Sequence, residues 1–319
     1  MNVLMVGSGS IAGFHARAIE ELGHSLYSVV GRRMAQVAEF AEEAGFSTHG
    51  IDLDAALNDP LVDAVVITSP SDFHRQHAEA SLGRRLPTLL EIPVATSLSD
   101  ALAIESAQRG AGVPVMAAHT RRFHPAMLHL RGLIRDGDLT VHQVAQRYGF
   151  IRRKNVNWVG YQRSWTDNLI WHHGGHAIDA WMWVLGVTEV EISSRLGPPH
   201  HHLGIPMDIA LALETVDGVV GTITLSYNTH QPLDDAIFIG EEDTIHADYA
   251  TGTLIGKDGV IMDAGMTEVV PHSVITAQDR EFFDAIEDSR DPDPTIADVL
   301  PGLRALQVVQ DEYDRRQSS

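Results

Sequence analysis

The stretch VLMVGSGSIAGFH, residues 3–15, constrains this chain more than any other. An apolar run ends at Gly7, and Gly9 and Ala12 follow at the spacing of a strand that turns directly into a helix. Gly7 permits the tight turn. Gly9 lets a ligand approach the backbone, and Ala12, with Gly13 behind it, keeps helix and strand close. The first helical N–H groups and the helix dipole then favour an anion over the turn. A glycine triplet alone says little. With a strand before it and a helix and second strand after it, it reads as a dinucleotide site, with Gly7, Ser8, Gly9, Ser10, Ile11 and Ala12 expected on the pyrophosphate.

The first 120 residues sustain that context. NVLMV, SLYSVV, DAVVIT, PTLLEI and VPVMAA read as buried strands, separated by helical patterns near 12–22, 34–44, 72–83 and 98–109. This alternation predicts a doubly wound parallel sheet, an α/β Rossmann domain over 1–120. After a helix from Pro125 to Asp136 the apolar period drops to two in TVHQVAQRYGF, EVEISSRL, MDIALALETV, GVVGTITLSY and DAIFIG. An α+β domain with an open, mainly antiparallel sheet follows for 121–319. Asp217-Gly218 marks a hairpin turn in it, and helices near 277–288 and 296–314 pack back. The acidic GEEDTIHAD reads as a solvated turn, and the three histidines of PPHHHLG as a surface loop, since adjacent side chains diverge.

The second strand ends in Gly31-Arg32-Arg33, where an NAD site places Asp or Glu on the ribose 2′-hydroxyl. A guanidinium can hydrogen-bond a 2′-phosphate twice, while a carboxylate repels it. NADP is therefore expected as cofactor, with NAD the weaker alternative.

Composition narrows the chemistry. The net charge of −20 argues against nucleic acid and anionic membrane surfaces as partners. There is no cysteine, hence no disulfide, thiolate metal site or catalytic thiol. Nothing at the N-terminus reads as a signal peptide and no apolar run approaches a membrane span, so a cytoplasmic enzyme is expected. Oxidising a free aldehyde usually proceeds through a thiol adduct. Without one, the hydride donor must carry its own oxygen, as an alcohol or a hemiacetal. Such a reaction needs a positioned cofactor and a base, and His titrates near neutrality.

NLIWHHGGHAID, residues 168–179, supplies candidates. His172 and His176 share a helical face while His173 points elsewhere, and the two glycines suggest a backbone that a ligand can approach. A zinc site wants more ligands and a nearby carboxylate. Proton handling is the better reading, with packing as the alternative and no metal expected. His176 is favoured as base, His172 or His173 as its substitute or orienting partner. Asp179 either fixes a histidine tautomer or pairs elsewhere.

These segments, with TSPSDFHRQHAEASLGRRLPTLLEIPVA and HTRRFHP, resemble the glucose–fructose oxidoreductase, inositol dehydrogenase and MocA family over nearly the whole chain. The resemblance implies that Thr68, Ser69, Pro70 and His74 flank the cofactor, that Glu91 and Pro93 shape the nicotinamide pocket, and that the second sheet serves a homodimer or larger homo-oligomer. The family usually carries Glu-Lys-Pro where this chain has Glu91-Ile92-Pro93, and Asp where it has His172.

Those departures, with RSWTDNLIWHHGGHAID, FIRRKN and LGIPMD, resemble a branch that uses NADP. That branch oxidises the cyclic hemiacetal of a dicarboxylate semialdehyde from aromatic ring cleavage to a lactone. The resemblance implies substrate carboxylates held by a subset of Arg121, Arg122, Arg152, Arg153 and Arg163, with Trp165 and Asp167 bordering cofactor or substrate. Arg122 is alternatively a brace at the domain junction. Competing expectations are an NAD(P)-dependent sugar or cyclitol dehydrogenase and a non-catalytic NADP-sensing regulatory protein.

Overall fold

The computed structural model describes residues 1–154, 169–268 and 271–318. They fall into two compact units. The first holds 1–119 and 272–300, and the second 120–154, 169–268, 271 and 301–318.

In the first unit, strands β1 (Asn2–Val6), β2 (Ser25–Val30), β3 (Thr48–Gly50), β4 (Ala64–Ile67), β5 (Thr88–Leu90) and β6 (Val115–Ala117) form one parallel sheet ordered 3-2-1-4-5-6. Helices α1 (Ser10–Glu21), α2 (Met34–Ala44), α3 (Leu53–Leu57), α4 (His74–Leu82) and α5 (Leu98–Ala111) connect the strands. The central strands are apolar throughout because both faces are covered, and Val3, Leu4, Met5 and residues 64–67 are fully buried. Strand order reverses between β1 and β4, so their carboxyl ends splay and leave a crevice. Helix α8 (His272–Glu287), assigned to the second domain from sequence, lies against α1 in this unit.

The second unit opens with α6 (Pro125–Arg135), Pro at its first turn. Its sheet has eight strands: β7 (Val141–Gly149), β8 (Val190–Leu196), β9 (Asp208–Thr215), β10 (Val220–Ser226), β11 (Leu233–Gly240), β12 (Thr244–Asp248), β13 (Thr253–Gly256) and β14 (Gly259–Asp263). Their order is 14-13-12-11-7-10-9-8, antiparallel except for the β7–β10 pair. The Asp217-Gly218 turn joins β9 to β10 with Gly218 at φ +85°. The expected solvated turn GEEDTIHAD is corrected in part: its second half is β12, because Ile245 and Ala247 alternate inward and are buried.

One face of this sheet carries α7 (His173–Leu185), which packs on β7 and β10. Helix α9 (Ile296–Gln317) contributes its part from Pro301 onward to this unit. On the opposite face one cross-strand row, Ile255, His246, Ile237, Ala145, Thr222, Ala212 and Ser193, stands in register and is small or aliphatic apart from His246, while the next row carries Asp235, Arg147 and Arg195. Among the described residues no helix is long and apolar enough to cross a membrane.

Candidate active site

The first unit presents a nucleotide cradle. Gly7 sits at φ +123°, and a Cβ there would lie 2.7 Å from the Thr68 backbone, so both conformation and contact demand glycine. Above Gly9 the space is open to 4 Å among the described residues. Gly9 caps α1 without a side-chain hydrogen bond, and the first turn has no acid. A helix N-terminus without a side-chain cap, its dipole and room for close approach fit a pyrophosphate.

At the end of β2, Arg32 and Arg33 are exposed. Arg32 lies over the Phe73 ring at 5.3 Å, and Arg33 is the N-cap of α2. They stand on the half of the crevice that the strand order gives to adenosine. Behind Phe73, His77 stacks at 5.7 Å and stands 2.8 Å from the Ser69 hydroxyl. Burial, with His74 and Arg32 nearby, lowers His77 to about 4, so it is neutral at pH 7. Pro70 opens the turn that follows β4.

His74 is corrected. It is buried, and its ring nitrogens stand 2.8 Å from the Pro93 carbonyl oxygen and 2.7 Å from that of Ser69. It ties the loops after β4 and β5 together. Thr68 lies against the turn at Gly7.

Glu91 follows β5 and holds a partnership that the sequence reading missed. His15, fully buried on α1, places Nε2 2.9 Å from Glu91 Oε1 and Nδ1 2.8 Å from Asp279 Oδ2 on α8. The Ile92 N–H donates to Glu91 Oε2 at 2.9 Å. Burial alone would lower His15, yet Asp279 and then Glu91 outweigh it and raise it to about 10. A histidine on the buried stripe with Ala12, Ala16 and Ile19 is the signal that it has a buried partner.

The second unit presents the histidines. His172 caps α7, and His173 and His176 stand on its first turn. His173 is boxed by Tyr148 at 4.6 Å, Phe150 at 5.5 Å and Tyr227 at 5.5 Å. Behind the box, Arg121 lies over the Tyr148 ring at 5.3 Å and Arg152 over the Tyr227 ring at 5.0 Å. Burial, then His172, His176, Arg152 and Arg121, hold His173 well below the ordinary imidazole value. It is a neutral ring. His172 meets His173 edge-on at 4.3 Å, and His176 lies 6.3 Å from His173.

The glycine pair needs correcting. Gly174 and Gly175 are buried, and a Cβ on Gly174 would lie 3.3 Å from Leu306 and 3.4 Å from the Leu169 carbonyl. Their smallness seats α7 on α9 and β10; it does not clear a path for ligand.

The candidate arginines divide. Arg121 donates through Nη2 to both oxygens of Asp234, at 2.9 and 2.8 Å. Arg152 is buried and donates to the Tyr227 hydroxyl at 3.0 Å. Arg153 is exposed and holds the Arg152 and Tyr227 carbonyls. Arg122 is not a carboxylate fork for substrate: it is buried and gives Nε and Nη2 to Asp179 at 2.9 and 2.6 Å. Arg163, Trp165 and Asp167 lie outside the described residues.

A parallel sheet with a glycine turn at its switch point, joined to an open sheet that carries a histidine cluster, defines a two-domain dinucleotide-dependent oxidoreductase. Residues 1–119 match the model described as "Oxidoreductase family, NAD-binding Rossmann fold", and 125–265 the model "Bacterial oxidoreductases, C-terminal". The chain belongs to the glucose–fructose oxidoreductase, inositol dehydrogenase and MocA family. It is 33% identical to the 4-carboxy-2-hydroxymuconate-6-semialdehyde dehydrogenase of Sphingobium sp. strain SYK-6, over 99% of this chain and 100% of that protein. It is 28% identical to inositol 2-dehydrogenase 2 of Saccharopolyspora erythraea, over 72% of this chain and 67% of that one. Among solved structures, levoglucosan dehydrogenase in complex with NADH and levoglucosan superposes with a TM-score of 0.87 at 17% identity, over 99% and 97% of the two chains.

Proposed function

We propose that this chain is an NADP-dependent dehydrogenase that oxidises the cyclic hemiacetal of 4-carboxy-2-hydroxymuconate-6-semialdehyde to 2-pyrone-4,6-dicarboxylate, a step of protocatechuate 4,5-cleavage. The observation that carries this reading is the end-to-end similarity to a dehydrogenase of that semialdehyde. The arginine-backed histidine box supports it. Bound nicotinamide would accept the hydride from the hemiacetal carbon. His176 takes the hydroxyl proton, so the C–O bond becomes the lactone carbonyl and electrons balance. His173, held neutral in its aromatic box, orients His176 and His172 rather than taking the proton. Arg152 places positive charge beside the cluster and suits a substrate carboxylate, whereas Arg121 is already matched by Asp234. In a chain of net charge −20, local guanidinium is what makes a dianion acceptable. Arg32 and Arg33 fit a 2′-phosphate.

The outer face of the second sheet, where a row of small and aliphatic residues lies beside the Arg147–Asp235 pair, is the proposed contact with a second copy of the chain. The expected setting is the cytoplasm.

The second reading is a sugar or cyclitol dehydrogenase, favoured by the inositol 2-dehydrogenase relative. One assay separates them: NADPH formation at 340 nm with the ring-closed semialdehyde beside inositol and common sugars. Turnover confined to the semialdehyde supports the proposal. Turnover confined to polyols overturns it, and binding of NADP without any turnover points to a sensor.

A further inference from the structure

Asp279, His15 and Glu91 form a continuous hydrogen-bonded chain from the buried face of α8, through α1, to the carboxyl end of β5. Carboxylate oxygens accept hydrogen bonds, so both His15 nitrogens must donate. Two protons are then shared among three groups, and the sum of charges is −1 whichever atom holds each proton. Asp279 and His15 are fully buried, while Glu91 is 8% exposed. The group therefore meets the surface only through Glu91, whose second oxygen is pinned by the Ile92 N–H. Ile92 itself brings no compensating cation.

The location gives this charge a use. In a sheet ordered 3-2-1-4-5-6, β1–β2–β3 serve the adenosine half of a dinucleotide and β4–β5–β6 the other half. Glu91 stands at the end of β5, on the nicotinamide side. The oxidised nicotinamide ring is a cation and the reduced ring is neutral.

We propose that the Asp279–His15–Glu91 chain is an electrostatic positioning device that fixes one net negative charge at the nicotinamide half of the site and makes the protein bind oxidised cofactor in preference to reduced. The inference rests on the nicotinamide reading above. The raised proton affinity of His15 holds that sum at one negative charge rather than two through the neutral range. For an oxidising enzyme it favours the substrate form of the cofactor and hastens release of the reduced product.

The test is the ratio of NADP⁺ to NADPH affinity, measured by fluorescence titration on the intact chain, Asp279→Asn and Glu91→Gln. The titration is run at pH 6, where the remaining Glu91 carboxylate still holds a proton on His15; Asp279 is fully buried, so its replacement then removes no cofactor contact but changes the net charge of the chain of groups from −1 to 0. The expected result is a fall of about three- to tenfold in the preference for NADP⁺ in both variants. A merely structural role would change both affinities by one factor, and that outcome overturns the proposal. Should Asp279→Asn fail to fold, Glu91→Gln decides on the same ratio. Wild-type protein that binds neither form overturns the nicotinamide reading and this inference with it. Binding of both forms with an unmoved ratio overturns this inference alone.

Discussion

Arg122 clasps Asp179 with two charged hydrogen bonds, Nε to Oδ2 at 2.9 Å and Nη2 to Oδ1 at 2.6 Å, both side chains buried. Asp179 is three residues beyond His176 on α7, so this pair sets where the histidine helix sits. Removing the guanidinium takes two charged hydrogen bonds from a buried carboxylate. Arg122→Ala should therefore destabilise the second unit by about 3–5 kcal/mol, read from chemical denaturation. Arg122→Lys should recover only part of this, because an ammonium cannot make the planar two-point contact. A loss below ~1 kcal/mol would show that the pair is not the clasp.

The histidines separate by environment. His173 is boxed by aromatic rings and stays neutral, whereas His176 stands outside that box. His176→Ala should lower kcat with the semialdehyde by about 10²–10⁴-fold and leave NADP affinity within about twofold. His173→Ala should instead lower thermal stability, since it empties a packed aromatic site. Near-normal turnover by His176→Ala would remove it as the base.

Much of the fold could be read in advance, because local patterns dictate it. Residues 34–44 read as a helix from their apolar period, and they are one. The period-two runs of the second unit became strands for the same reason. β12 was missed because its two inward residues, Ile245 and Ala247, are bracketed by acids that suggest solvent. The site was less legible where its meaning lay in distant partners. Nothing local to His15 names Asp279, 264 positions away, and nothing local to Gly174 names Leu306. His74 carried a polar ring in a motif that implied cofactor contact, but its partners are main-chain carbonyls that composition cannot reveal. Asp179 had two readings, and only the fold brings Arg122 to it.

The proposed preference for NADP rests on two exposed arginines at the end of β2, one lying over Phe73. A charge-assisted hydrogen bond is worth about 1.5–3 kcal/mol, so losing Arg32 and Arg33 together should weaken NADPH binding about tenfold or more. NADH lacks the 2′-phosphate and should lose little. Titration of both cofactors against the double alanine variant checks this, and equal losses would remove the 2′-phosphate argument. Added salt should shrink the difference, because both side chains are exposed.

The buried His15 predicts how stability depends on pH. Its folded value is raised to about 10, against about 6.5 in the unfolded chain. Between these values the folded state holds a proton that the unfolded state has released. The derivative of unfolding free energy with pH is then negative. The stabilisation is complete below about pH 6.5, declines as pH rises, and is gone above about pH 10. His77 and His124, lowered to about 4, act in a different window: they stabilise above about pH 6.5 and lose that contribution as pH falls towards 4. Denaturation of the wild-type chain from pH 6.5 to 9 should thus show stability falling by a few kcal/mol, about one per pH step. Asp279→Asn, which removes the partner that raises His15 most, should flatten that slope. An equally steep decline in the variant would mean that the proton lost between pH 6.5 and 9 is not the one on His15.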